Sequence, residues 1–438
     1  MNRKLATAWT LALLVLAAPA ARSATLTADQ AVQLALRQGT QSVQAEASVL
    51  DARSGLWSAY SQVLPHISAD ATRSGSLTRE TSSGVFDDRG YSGSYGLSGS
   101  IGVLNLSSWV SLSSARQNAR AAKHGRAATR SQIVLDTKRQ FYQVVKAMHL
   151  AQVSSQAVKL ARDDERRVRA LYEVGSVSKS DLLKARVRTS QGELDSLLAD
   201  HNVTSQRVQL ATKLGLAESA LGEVDSTLNI ARMPVDAAAV ASDARKNRPD
   251  VKAVEAELRA AELRLRSAQW SRLPSVSATG SYTPKSVFSG SSHAGSAEGP
   301  VTSSSGWSEG DWGGRLSVDL NVFDGMLLES RVVSARAGVM RARETRDALV
   351  RNLQSEVQIA VLTYQEATER ESLARRTLES ASENLNLVQQ KYNVGSATIL
   401  DLIDSQVQLQ RAQSDLVSAM ADIRVAEANL DQVRGLGE

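Results

Sequence analysis

Apolar positions along this chain switch between a helical period and a period of two. From Thr27 to Val63 they recur at helical spacing, with Thr27 as a candidate N-cap and Asp29-Gln30 in the first turn, and this predicts one helix that Leu64-Pro65 stops. Between residues 66 and 104 the period falls to two: Tyr91, Gly93, Tyr95, Leu97, Gly99, Ile101 and Val103 alternate with serines and glycines. That pattern predicts a strand with one apolar and one polar face, preceded by a weaker strand from His66 to about Thr78, with Asp87-Asp88-Arg89-Gly90 in a polar loop between them. Residues 108–174 contain no proline, and the single helix they predict would span ~100 Å at 1.5 Å per residue, longer than a globular domain can house. After Gly175 a second, half-length helix runs over 179–214.

The same order then recurs. Tyr172-Glu173-Val174-Gly175-Ser176, with Asp181-Leu182 behind it, returns as Tyr392-Asn393-Val394-Gly395-Ser396 with Asp401-Leu402, an offset of 220 that also maps Ser114-Ala115-Arg116 onto Ser334-Ala335-Arg336 and Gly215 onto Gly435. Leu64-Pro65 maps onto Leu273-Pro274 at an offset of 209, so the second copy carries 11 extra residues in a connection. The chain therefore divides into a leader over 1–23, a first repeat over 24–232 and a second over 233–438. In the second repeat a helix bent near Pro249 precedes a hairpin at 275–323, a long helix at 328–394 and a return helix at 398–433. The hairpin's strands show in Val276, Ala278, Gly280 and Tyr282 and in Gly314, Leu316, Val318, Leu320 and Val322, and the Gly/Ser-rich tract from Ser286 to Asp311 reads as a solvated loop. Along the second long helix Ala360, Tyr364, Ala367, Ala374, Leu378, Ala381, Leu385, Val388 and Tyr392 keep coiled-coil spacing, interrupted at Glu371.

Composition narrows the function. Arg3 and Lys4, the apolar run Leu11 to Ala18 and Ala21-Arg22-Ser23 read as a secretory signal, so the protein leaves the cytoplasm. The chain's net charge of +5 falls to +2 when Arg3, Lys4 and Arg22 leave with that segment, which signals no nucleic-acid partner. The absence of cysteine excludes disulfides, thiolate metal sites and an N-terminal lipidated cysteine. His66, His124, His149, His201 and His293 are scattered without partners at helical spacing, and there is neither a phosphate-binding glycine loop nor a hydrolase motif, so the reading is no cofactor, no metal and no enzyme.

Four strands, each with one apolar face about ten residues long, carry the signature of a transmembrane β-barrel wall. Since small single-chain outer-membrane barrels use about eight strands, closure requires several copies of the chain. With its duplication, its Leu-Pro stops before each hairpin and its paired Val-Gly-Ser turns, the sequence resembles the TolC family of outer-membrane channel proteins over the whole mature chain. The resemblance implies an α+β membrane protein of tandem-repeat fold, in which a homotrimer forms a 12-stranded barrel in outer-membrane lipid and continues it as a helical barrel through the periplasm. It further implies an export duct of a tripartite efflux or type I secretion system, served by a periplasmic adaptor and an inner-membrane pump or ABC exporter.

The resemblance also assigns sites. Asp401 and Asp404 correspond to carboxylate rings at the periplasmic gate; Tyr392, Ser180 and Asp181 to the network that holds it shut; and Val174, Gly175, Ser176, Val394, Gly395 and Ser396 to the tip turns where an adaptor docks. Relatives carry a gate arginine where this chain has Ala397, and Lys179 is either a substitute charge or a solvated lysine at a helix start. Apart from the family, six carboxylates around a narrow opening would favour cations. The competing reading is a trimeric surface coiled coil or adhesin with a barrel anchor, which should place its strands at one end of the chain rather than in the middle of each repeat.

Overall fold

The computed structural model describes residues 25–80, 86–229, 234–283, 288–294 and 310–436. The leader and the tract at 295–309 lie outside the described residues. In order, the elements are α1 (Ala28–Gln38), α2 (Thr40–Ser61), β1 (His66–Glu80), β2 (Phe86–Leu104), α3 (Leu106–Glu173), α4 (Lys179–Leu214), α5 (Ala237–Asn247), α6 (Pro249–Trp270), β3 (Ser275–Thr283), β4 (Phe288–Ala294), β5 (Asp311–Asp319), α7 (Leu327–Asn393) and α8 (Ile399–Arg434). They form two compact units, one built on 133–234 and 360–430 with the N-terminal segment, the other on 41–132 and 235–359 with the C-terminal one.

The helix expected over 27–63 is two helices. A capping box of Thr27 and Gln30 starts α1, and it ends at Gly39, extended at ψ 135°, where a Cβ would stand 2.4 Å from the Ala35 carbonyl oxygen and only glycine fits. The second repeat breaks 209 residues further on, at Arg248 before Pro249, where proline forces the preceding residue out of helix and then serves as the first residue of α6. Each break is closed by a left-handed glycine at the end of a return helix. Gly215 (φ 71°) lies against the Gln38 carbonyl and Gly435 (φ 78°) against the Asn247-Arg248 backbone. Arg248 is buried there and forks to Asp250 at 2.6 Å and Glu356 at 2.7 Å.

The sheet belongs to the second unit and runs β1-β2-β3-β5, with β4 also on β2. Because β3 takes the Leu97 to Leu104 half of β2 and β4 takes Asp87 to Gly93, the two lie end to end along the same strand. Asp87 to Gly90, expected in a loop, are strand residues paired with Arg79 to Ser76, and Phe288 to Ala294 leave the expected loop for β4. Leu320 and Val322 fall beyond the end of β5.

Register fixes the faces. Ala69, Leu97, Tyr282 and Trp312 share one row, and Ala278 sits between Ile101 and Leu316 in another, so one face is apolar across the sheet. Directly opposed residues on the other face are Ser68 and Ser98, whose hydroxyls are 2.8 Å apart, and Ser277 and Ser317, also at 2.8 Å, with His66, Thr279 and Arg315 beside them. The apolar side chains are left open, Leu316 being 68 % and Trp312 80 % exposed, and the outer edges of β1 and β5 are unpaired within the described sheet. No helix among the described residues is long and apolar enough to cross a membrane.

In the first unit Leu26, Ala31, Phe141, Val144, Val145, Leu210 and Leu214 make the main core, and Val168, Leu182, Ala185, Ile399 and Leu402 make a second. The seam of α7 does not lapse at Glu371. That residue is 1 % exposed, and Arg375 one turn on pairs with it at 2.6 Å.

Candidate functional site

Two equivalent turns end α3 and α7 in the first unit. In each, glycine supplies the left-handed residue, φ 74° at Gly175 and 76° at Gly395, and the following serine N–H reaches back to a carbonyl, Ser176 to Leu171 at 2.8 Å and Ser396 to Lys391 at 2.9 Å. This leaves Val174 and Val394 exposed.

The return helices start with reciprocal caps. Thr398 Oγ1 donates to Asp401 Oδ2 at 2.7 Å, the Thr398 N–H donates to the same oxygen at 2.8 Å, and the Asp401 N–H donates back to Thr398 Oγ1 at 3.2 Å. These bonds hold the fully exposed Asp401 carboxyl below the usual carboxylate range. Asp404, one turn on and exposed, accepts from Gln408 Nε2 at 2.8 Å. In the first repeat Ser178 caps α4 and donates to Asp181 Oδ2 at 2.8 Å, and that bond, with smaller contributions from Lys184, holds the Asp181 carboxyl low. Among the described residues Asp181 pairs with Ser178 and with Lys184, the lysine at 3.4 Å, and makes no polar contact with Ser180 or Lys179.

Tyr392 is half-buried against the cluster of Val168, Leu182 and Leu402. Burial pushes its phenol up, and the nearby Asp164 and Asp181 carboxylates push it further while Arg167 opposes them. Asp164, which the sequence reading passed over, is buried on α3 and accepts from Gln406 Nε2 on α8, with Arg167 at 3.9 Å and the Arg167 guanidinium also reaching Asn393 Oδ1 at 3.5 Å. Burial raises the Asp164 carboxyl; Gln406 and Arg167 oppose that rise and Asp163 adds to it. The structure therefore brings Tyr392, Asp181, Asp164 and Gln406 into one cluster and leaves Asp401 and Asp404 facing solvent. No group of metal-binding side chains occurs among the described residues.

Long helices ended by paired turns, and a sheet with one bare apolar face, together define a channel subunit rather than an enzyme. The chain belongs to the outer membrane efflux protein family, whose model matches residues 20–216 and 240–436, and its place is the bacterial outer membrane. Among solved structures it is similar to the CmeC outer membrane channel of Campylobacter jejuni, with TM-score 0.79 and 16 % identity over 94 % of this chain and 86 % of that one. VceC of Vibrio cholerae matches with TM-score 0.76 and 17 % identity over 93 % of this chain and 96 % of that one. The open state of MtrE from Neisseria gonorrhoeae matches with TM-score 0.75 and 18 % identity over 93 % and 88 % of the two chains. At such identities the likeness is one of fold. Nodulation protein T of Rhizobium leguminosarum bv. viciae is 25 % identical over 169 residues, which span 38 % of this chain and 32 % of that protein.

Proposed function

We propose that three copies of this chain close into an export duct, a 12-stranded barrel in outer-membrane lipid continued by a helical barrel. In this reading it carries substrates from an inner-membrane pump or ABC exporter, through a periplasmic adaptor, to the outside, as in tripartite efflux or type I secretion. The observation that carries this is the sheet: four strand positions wide, apolar on one side, open at β1 and β5. In lipid each unsatisfied edge group costs several kcal/mol, which only further copies of the same sheet can relieve here.

The tip turns supply the gate. Val174 and Val394, exposed beside their glycines, form the adaptor's docking points, while Asp401 and Asp404, three residues apart on one helix face, put six carboxylates around the opening. Tyr392 and Asp181, with Asp164 and Gln406 behind them, hold the helices of the tip together. Protein with both Asp401→Ala and Asp404→Ala should lose most of its cation preference in planar-bilayer recordings while remaining folded. Unchanged selectivity in that double variant would remove these two residues from the constriction.

A further inference from the structure

In the second unit α3, α6 and α7 of one chain line a groove of 790 Å³. Small side chains make its floor, the buried Ala261 with Ala335 and Ala342, and a Cβ added at Gly338 would meet nothing within 4 Å, so space is open there. Around that floor stand Arg264 on α6 and Arg331 and Arg341 on α7, all exposed, with one acid, Glu257. Asn118 and Ser334 add neutral hydrogen-bonding groups.

These arginines lack counter-charges. Among the described residues none of the three makes an ion pair, and the neighbouring acids are committed to other arginines. Glu255 pairs with Arg259 at 3.9 Å, Glu329 with Arg272, Glu344 with Arg351 at 2.6 Å and Glu356 with Arg248 at 2.7 Å. Residues 106–135 of α3 contain no acid. Single unpaired arginines on a helix are ordinary solvated charge. Three that line one cavity repel one another and raise the local concentration of anions.

The spacing says which anion fits. Since α6 runs into β3 and α7 leaves β5, the two helices are antiparallel, and the Arg272–Glu329 pair sets their register. Eight residues back from Arg272, Arg264 is level with Ala337 of α7. It therefore stands between Arg331 and Arg341, six and four residues away or roughly 9 and 6 Å along the axis. A single carboxylate cannot meet charges spread that far. Two phosphate groups can, each taking forked N–H donors from a guanidinium. We propose that this groove binds a bisphosphate, two phosphate groups joined by a short carbon linker, one held between Arg264 and Arg341 and the other at Arg331. Glu257, seven residues before Arg264, closes the end beyond Arg341 to longer anions.

Two sources share this chemistry. Arg264 lies 11 residues before Ser275, the first residue of β3, or roughly 16 Å along the helix. The paired phosphodiesters of a cardiolipin headgroup are then in reach when the sheet stands in lipid as proposed above, whereas a soluble bisphosphate needs no membrane.

Titration calorimetry of the purified full chain in neutral detergent with fructose 1,6-bisphosphate tests the site itself. Native mass spectrometry after reconstitution into phosphatidylcholine nanodiscs containing cardiolipin tests the headgroup. Arg264→Gln with Arg331→Gln should weaken binding by at least about tenfold, the order of one charge-assisted hydrogen bond. Glu257→Gln should tighten it, because the one opposing charge is gone, a gain that a merely structural glutamate would not give. Arg259→Gln, on α6 but paired to Glu255 outside the groove, should leave binding unchanged. Bisphosphate bound without retained cardiolipin supports the site with a soluble ligand, and cardiolipin retained by the wild type but lost from the double variant supports it with the headgroup. Wild-type protein that takes up neither probe, or that loses them as much through Arg259→Gln as through the double substitution, overturns the site. Neither outcome bears on the multi-copy barrel, since every residue of the groove belongs to one chain.

Discussion

Asp164 is the one deeply buried carboxylate of the tip cluster, and its environment gives the tip a pH response of definite sign. Burial raises its pKa, with Gln406 and Arg167 opposing and Asp163 assisting, so the packed tip bears an unfavourable charge above the raised value and is relieved of it as the group protonates. Asp181 and Asp401 behave the other way. Their carboxyls are held low, so their contributions persist down to the usual carboxylate range of about 3.9 and are lost only as pH falls through their depressed values. Between neutral pH and about pH 4, therefore, Asp164 alone among these three should tighten the tip as acid is added. Resting conductance in bilayers should fall over that window in the wild type and lose its slope in Asp164→Asn, which keeps the shape and the Gln406 contact without the charge. A slope that survives in the Asn variant would assign the titration to another group. Spacing alone points one residue away: Ala147, Ala151, Ser154, Val158, Ala161 and Val168 are buried at alternating steps of four and three, which would put Glu165 in the seam, whereas the buried carboxylate is Asp164. It was missed because it sits in the run Arg162-Asp163-Asp164-Glu165-Arg166, where a charge run masks the seam. Ser178 was passed over although a capping serine stands just before the helix it starts; Ser180 is the second residue inside that helix.

At the level of elements, long strong periods were readable and their interruptions were not. The turns after α3 and α7 follow directly from Tyr-x-Val-Gly-Ser, because only glycine takes the left-handed conformation freely. The break at Gly39 was silent, since a glycine inside a helical pattern costs only about 1 kcal/mol and need not end it, whereas Pro249 announced the equivalent break. Strand residues Asp87 to Gly90 read as loop because Asp, Arg and Gly are turn residues, and only pairing with β1 overrides that preference. The breaks also yield an ordering of substitutions. Gly175, Gly215 and Gly435 are all left-handed, but Cβ atoms at them would meet respectively nothing within 4 Å, the Gln38 carbonyl oxygen at 3.0 Å, and Asn247-Arg248 main chain at 2.9 Å. Alanine at Gly175 should cost about 1 kcal/mol of backbone strain alone, and at Gly435 roughly 3 kcal/mol or more, with Gly215 between them. Thermal unfolding of the three purified variants checks the order, and equal losses would mean that the return helices do not bear on the breaks.

At the scale of the whole molecule the sheet decides what kind of solvent surrounds the protein. In water an exposed leucine on a strand can be exchanged for arginine with little effect, and Leu316, 68 % exposed beside Ala278, would be such a position. In lipid the same exchange costs about 2–4 kcal/mol near the bilayer midplane, because the charge has no water to face. Ser281 on the opposite face, paired across from Gly313, should show the reverse: in the proposed barrel a lysine there points into the aqueous interior. The alternation that sets these two faces was visible in the sequence, but it could not say which strands adjoin. The β1-β2-β3-β5 order, with its two edges unpaired among the described residues, depends on the β2–β3 pairing, which joins Leu97 to Tyr282, 282 − 97 = 185 residues further on. Leu316→Arg should therefore sharply reduce the amount of heat-resistant, membrane-inserted protein recovered from cells, while Ser281→Lys should leave that amount near wild type and alter only ion preference in bilayers. Equal tolerance of both substitutions would mean that the apolar face meets protein or water instead of lipid, and the barrel reading would have to be given up.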